Sequence, residues 1–197
     1  QARDLLVMLE AIDAHGAVTA TGKAMAEAGL HPRLAHLLVR ARGTPHESLA
    51  ATLAALLSER DLLRTRDPDM RTRLEALRGH ALGADPGALA RVRDLARQLQ
   101  RGTGSKSSGS SSTSSADNDA GMLLAWAYPD RIAQARGSGF RYLLSNGRGA
   151  LLEQASTLSG AEYLVALDLD DAEGAEARIR LAAPLTLAQL ETALSSQ

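Results

Sequence analysis

A basic stretch between positions 131 and 148 contains side chains suited to nucleic-acid binding: four arginines and no acidic residue. Guanidinium groups pair with phosphates, and aromatic rings stack on the bases of single strands, so this combination predicts a nucleic-acid-binding surface. The candidate residues are Arg131, Arg136, Phe140, Arg141, Tyr142 and Arg148. The structural alternative is that Phe140 or Tyr142 fills a core and that the arginines belong to an ordinary surface.

A second group of basic residues, between positions 64 and 78, is a weaker candidate for the same chemistry. Its arginines are Arg64, Arg66, Arg71, Arg73 and Arg78. Asp67, Asp69 and Glu75 are interleaved with them. The pattern therefore favours a salt-bridged exposed face as much as a phosphate-binding one.

Catalytic motifs are missing from the sequence. The nearest approach to a phosphate-binding P-loop is Gly16–Lys23, but five residues separate its glycines where four are needed, and Ala24 replaces the required hydroxyl. No Asp-Glu-x-His motif follows. His31 and His36 have a poor spacing for shared metal ligation and no carboxylate to complete a set. We therefore predict no catalytic residue, cofactor or metal within this chain.

Composition limits the protein class further. The chain has 197 residues, a net charge of −1, 45% hydrophobic residues and no cysteine, so it can bury a core without disulfides or thiolate ligands. No apolar run reaches the roughly 20 residues that a membrane-spanning helix needs. We expect a cytoplasmic protein with no membrane partner. The chain opens at Gln1 inside an apparent helix, which we interpret as truncation of a longer protein.

The elements that must position these residues differ between the two halves of the chain. Up to Arg101 the apolar residues recur at three to four positions, which predicts a small helical bundle. Thr21 is a candidate cap for an early helix, and Asp85-Pro86 and Thr186 are candidate starts of later ones. From Gly102 to Gly121 the composition is mostly Ser, Gly and Thr, as in a flexible linker.

Beyond the linker the pattern changes to short strands. After a short helix over Met122–Ala127, strand-like segments begin near Arg131, Arg141, Gly149, Tyr163 and Ala177. Asn146-Gly147 is a strong hairpin turn signal between the second and third. Five short strands predict a small closed or partial barrel.

Four segments of the chain carry a resemblance to one known family: Gly22–Ala35 (GKAMAEAGLHPRLA), Leu53–Asp61 (LAALLSERD), Ala127–Ala133 (AYPDRIA) and Arg141–Ala150 (RYLLSNGRGA). In this order they resemble the C-terminal region of bacterial DEAH-box helicases of the HrpB type. The first resembles the junction of the winged-helix and ratchet-like domains, the second resembles the next ratchet helix, and the last two resemble the start of the OB-like domain. The resemblance covers most of the chain, and the Ser-rich insertion is its main departure.

The resemblance implies an α+β multidomain fold, a helical ratchet-like bundle with a winged-helix remnant followed by a small OB-like β-barrel. The expected boundaries are 1–32 for the end of the winged helix, 33–101 for the ratchet-like domain, 102–121 for the linker and 122–197 for a truncated barrel.

The resemblance also implies an accessory region of an ATP-dependent RNA helicase, which contributes to single-stranded nucleic-acid binding and to closure over the motor. Its partners would be single-stranded RNA, or DNA, and upstream motor domains that hold ATP and Mg. The alternative is a protein-interaction scaffold with no nucleic-acid role.

Overall fold

The computed structural model describes residues 2–79, 83–102, 118–137, 140–153, 156–170 and 176–195. These residues form two compact units. A helical unit contains described residues up to 62 and 85–102, and a barrel unit contains described residues from 63 to 84 and from 118 to 195. The predicted linker lies largely at 103–117, outside the described residues.

The helical unit is built from helices α1 (Ala2–Met8), α2 (Ala20–Glu27), α3 (Pro32–Ala41), α4 (Glu47–Ser58) and α6 (Pro86–Gly102). Helix α4 packs against both α3 and α6. Its packed surface is dominated by alanine, and α6 presents the stripe Ala88, Val92 and Ala96 at four-residue intervals. Small side chains at helical spacing let these helices approach closely. The contacts among these helices confirm the predicted helical bundle.

One sequence expectation in this unit needs correction, and it concerns the second helix. Helix α1 ends at Met8, and Glu10 adopts a positive φ of 54° that takes the chain out of the helix. The cap of α2 is Thr19 rather than Thr21, because the extended backbone at Thr19 lets its hydroxyl accept the Gly22 N–H at 2.9 Å. The predicted cap at Asp85 is confirmed by its hydrogen bond from the Ala88 N–H.

The barrel unit contains α5 (Met70–Leu77), α7 (Ala120–Ala127), a short 3-10 turn (Pro129–Arg131), five strands and α8 (Leu187–Ser195). The strands are β1 (Ile132–Ala135), β2 (Arg141–Leu144), β3 (Gly149–Leu151), β4 (Tyr163–Asp170) and β5 (Glu176–Leu185). They close into a barrel in the order β1-β2-β3-β5-β4, in which only β3 and β5 pair in parallel. The predicted OB-like barrel is confirmed.

The barrel core follows from the two-residue alternation of the strands. Tyr142 and Leu144 of β2 point inward, as do Ala133 of β1 and Ala150 of β3. Helix α7, which is buried along its whole length, packs against β4, β5 and α8. Alanine at several inward positions leaves room for the larger Tyr142 ring within a small barrel.

Residues before the predicted linker also belong to the barrel unit. The Ala182 N–H of β5 donates to the Pro68 carbonyl at 2.8 Å, and α5 contacts the same strand. The sequence division placed this segment in the helical domain at 33–101, whereas its contacts lie with the barrel. The four domain boundaries otherwise stay predictions.

Candidate nucleic-acid interface

The connection between β1 and β2 presents two of the predicted residues to solvent. Arg136 follows β1 directly, and Phe140, 38% exposed, precedes β2. The Phe140 carbonyl accepts the Leu152 N–H at 2.8 Å, which fixes this end of the connection to the barrel. Within the described part of the chain, no hydrogen bond or ion pair engages the Arg136 side chain. Ser138 and Gly139 of the same connection lie outside the described residues.

Arg141 lies beside this connection on the outer face of β2. The Arg136 N–H donates to the Arg141 carbonyl at 2.9 Å, so the two residues oppose each other at the end of the β1–β2 pair. Strand alternation turns Arg141 and Leu143 outward. The structure therefore brings Arg136 and Arg141 together on one part of the barrel surface, and the exposed Phe140 precedes Arg141 in the chain.

Tyr142 does not belong to this surface, contrary to the sequence expectation that it stacks on a base. It is 2% exposed and its hydroxyl donates to the carbonyls of Leu158 and Ala161 at 3.4 and 3.3 Å. Burial raises its pKa above the ordinary value. Tyr142 alternates with the exposed Arg141 and Leu143 along β2 and therefore faces the core, whereas Phe140 precedes the strand and stays 38% exposed.

Arg131 and Arg148 lie apart from the pair formed by Arg136 and Phe140. The Arg131 guanidinium donates to the Leu167 carbonyl at 3.0 Å and its Cζ lies 5.5 Å from the centroid of the Tyr128 ring. These contacts hold the half-buried Arg131 within the barrel unit. Arg148 is exposed in the β2–β3 turn, where its N–H donates to the Asn146 side chain at 3.0 Å and confirms the predicted hairpin turn.

An acidic residue that the sequence did not associate with the basic stretch lies next to it. Glu176 begins β5, and its Oε2 is 3.6 Å from Nε of Arg141. The parallel pairing of β3 with β5 brings position 176 to this surface. Sequence spacing gave no signal of that contact, because the pairing joins strands far apart in the chain.

The second arginine group is tied into the barrel unit. Arg71 donates to both carboxylate oxygens of Asp69, and Arg73 is buried with its guanidinium on the carbonyls of Asp67 and Asp69. Arg64 and Arg66 are exposed. Arg71 therefore forms a salt bridge, as one of the two sequence interpretations expected. Asp69 and Arg73, however, are buried and do not lie on an exposed face.

The described residues contain no group of three or more side chains that could hold a metal ion. Gly16–Lys23, the nearest sequence approach to a P-loop, forms a turn and the capped start of α2. Among the described helices, none is long and apolar enough to cross a membrane.

The chain is similar to a known protein in both sequence and structure. No family model matches the chain. The chain is 34% identical over 183 residues to the ATP-dependent RNA helicase HrpB of Escherichia coli K12, a match that covers 92% of this chain and 20% of the relative.

Two solved structures of the same relative match the fold. One is the E. coli DExH-box NTPase HrpB, with a TM-score of 0.75 and 32% sequence identity; the match covers 99% of this chain and 22% of the HrpB chain. The other is the E. coli DEAH/RHA helicase HrpB, with a TM-score of 0.72 and 29% identity; the match covers 94% of this chain and 21% of the HrpB chain. The chain thus spans about a fifth of the length of these relatives. By sequence and by fold, it is homologous to the HrpB-type DEAH-box helicases that its motifs resemble.

Proposed function

We propose that this chain is an accessory region of an ATP-dependent RNA helicase, which binds single-stranded nucleic acid and helps to close over the motor. The homologous relative is named as an RNA helicase, which supports the substrate class. The observation that carries the proposal is the exposed pair Arg136 and Phe140 at the β1–β2 connection, beside Arg141. An exposed cation next to an exposed ring is the combination that holds a phosphate and its base.

The chemistry of ATP hydrolysis belongs, on this proposal, to the other four-fifths of the longer protein. ATP and Mg would be held there, and the isolated chain would have no ATPase activity. A cytoplasmic location agrees with this role and is part of the same proposal.

Binding of a fluorescent single-stranded oligouridylate to the full chain, followed by anisotropy, tests the proposal. Arg136→Ala with Arg141→Ala should weaken binding about tenfold or more, because two charge-assisted phosphate contacts are lost. Wild-type affinity should fall with rising salt as counterions are released from phosphates.

A matched control is Arg97→Ala with Arg101→Ala, which removes the same charge from exposed positions of α6. Equal losses in the two double variants would reduce the effect to net charge. Unchanged binding in a folded Arg136/Arg141 variant would overturn the assignment of this surface. Repeating the titration with the deoxy oligonucleotide measures the preference for RNA.

A protein-interaction scaffold is the second candidate. Exposed apolar side chains in the helical unit favour it: Val7, Met8 and Val18 are 40%, 45% and 59% exposed. Co-purification of a defined protein, with no oligonucleotide binding at low salt, would select this alternative.

A further inference from the structure

A row of arginines crosses several strands of the barrel exterior and extends the candidate interface to β5. Leu151 of β3 pairs with Arg141 on one side and with Arg178 on the other, so all three positions share one cross-strand row. Strand alternation turns Arg178 outward, between the buried Ala177 and Ile179. Arg136, opposite Arg141, extends the row beyond β2.

The row has dimensions suited to a phosphate backbone that runs across the strands. Neighbouring strands lie about 4.8 Å apart, so the positions from Arg136 to Arg178 span roughly 14 Å along the curved surface. Arg141 and Arg178 are well exposed, with side-chain exposures of 69% and 50%. Leu151, between them, is half-buried and leaves no charge in the gap.

Two carboxylates already occupy the arginines of this row. Glu176 Oε2 lies 3.6 Å from Nε of Arg141, and Glu153 Oε1 lies 2.7 Å from Nη1 of Arg178. Exposed ion pairs of this kind are weak, since water and salt screen both partners. A phosphate that binds either guanidinium must therefore replace a carboxylate, and the weakness of the ion pair allows it to do so.

Gly149 explains how Glu176 reaches Arg141. Strand β3 lies between β5 and β2, and Gly149 is the residue of β3 that pairs with Glu176. A Cβ placed on Gly149 would lie 3.0 Å from Cγ of Glu176 and 3.4 Å from its Oε1. The Glu176 side chain thus passes over the bare backbone of β3, and a Cβ at position 149 would push it aside by a few tenths of an ångström.

We propose that Glu176, laid over Gly149, is an autoinhibitory carboxylate that competes with nucleic-acid phosphate for Arg141, and that Glu153 does the same for Arg178. Arg178 becomes a phosphate contact of the interface when its carboxylate is released. The inference rests on the proposed function, because it concerns the same surface. The affinity of this surface for single strands is then lower than it would be without the two carboxylates.

The test is the oligouridylate titration at low salt with the full chain and the variant Glu176→Gln, which keeps the shape of the side chain. Affinity should rise about two- to five-fold, the ratio that matches the strength of an exposed ion pair. Gly149→Ala should also raise affinity, but by less than Glu176→Gln, because its Cβ crowds the Glu176 side chain without changing any charge. Arg178→Ala should lower affinity in the Glu176→Gln background.

Glu191→Gln is the matched control, since it removes one exposed carboxylate of the same unit on α8, outside the arginine row. An increase in Glu176→Gln no larger than that in Glu191→Gln, with wild-type binding intact, overturns this inference and leaves the proposed function standing. Failure of wild type and every variant to bind overturns both. An increase in Glu176→Gln and Gly149→Ala, but not in Glu191→Gln, supports the competing carboxylate.

Discussion

The stability of the barrel unit should depend strongly on one buried carboxylate, that of Asp69. Asp69 is 2% exposed and caps α5 by accepting the Arg71 N–H at 2.9 Å. It also accepts the Thr157 hydroxyl at 2.8 Å and the Arg71 guanidinium at 2.6 Å. The hydrogen bond to the Asp69 carboxylate raises the pKa of Arg71. The perturbation is Asp69→Ala, which removes all three contacts at once.

The magnitude follows from the contacts. Loss of the helix cap costs about 1 kcal/mol. Thr157 is exposed, so water replaces the lost acceptor of its hydroxyl and this loss costs about 1 kcal/mol. The Arg71 side chain is 33% exposed, so solvent screening limits its pair to about 1 kcal/mol or less. We expect Asp69→Ala to lower the free energy of unfolding of the barrel unit by about 2–3 kcal/mol.

The assay is urea unfolding followed by tryptophan fluorescence. The chain has one tryptophan, Trp126, which is buried in α7, so the signal reports the barrel unit. Thr157→Val in a double-mutant cycle with Asp69→Ala should show a coupling energy of about 1 kcal/mol. The control is Asp170→Ala, which removes an ion pair to Arg180 whose side chain is 56% exposed, and should cost below about 1 kcal/mol. A loss for Asp69→Ala as small as that control would refute the reasoning.

Two further predictions concern the same unit. Gly121→Ala should destabilise it by about 2 kcal/mol or more in the same urea assay, because the new Cβ would lie 2.0 Å from the Pro184 carbonyl oxygen. A loss as small as that of the Asp170→Ala control would contradict this packing. Burial raises the Tyr142 pKa, so its stabilising contribution is complete below the ordinary value of about 10 and is lost as pH rises through the folded value. Tyr142→Phe should therefore lose less stability than wild type between about pH 9 and about pH 11, and an identical loss would contradict the assignment.

Local signals in the sequence predicted much of the barrel. The strand-like segment predicted to begin near Arg141 is β2 (Arg141–Leu144) in the structure. Asn146-Gly147 marked the hairpin that follows, where Gly147 has a φ of 82°. Thr186 caps α8 as expected, because its hydroxyl accepts the Gln189 N–H at 3.2 Å. Each of these features depends on residues a few positions apart, which is the range over which a pattern carries information.

Features that depend on distant pairing were missed. The contact of Glu176 with Arg141 requires the parallel β3–β5 pair, and the docking of Pro68 on Ala182 joins segments separated by the predicted linker. Tyr142 was assigned to the surface because composition alone does not say which of two neighbouring aromatics turns inward. The structure keeps Arg136 and Arg141 on one part of the barrel surface, and their role in binding stays a prediction. Neither the contact of Glu176 with Arg141 nor the place of Arg178 beside them was anticipated.

Photo-crosslinking of a 4-thiouridine oligonucleotide to the full chain, with mass spectrometry of the modified peptides, tests the central claim most directly because it reports position as well as binding. The account predicts crosslinks in the β1–β2 connection, at or beside Phe140, that disappear in the Arg136→Ala, Arg141→Ala variant. Crosslinks confined to the helical unit, or no crosslink under conditions in which the oligonucleotide binds, would contradict the assignment of the barrel surface as the nucleic-acid interface.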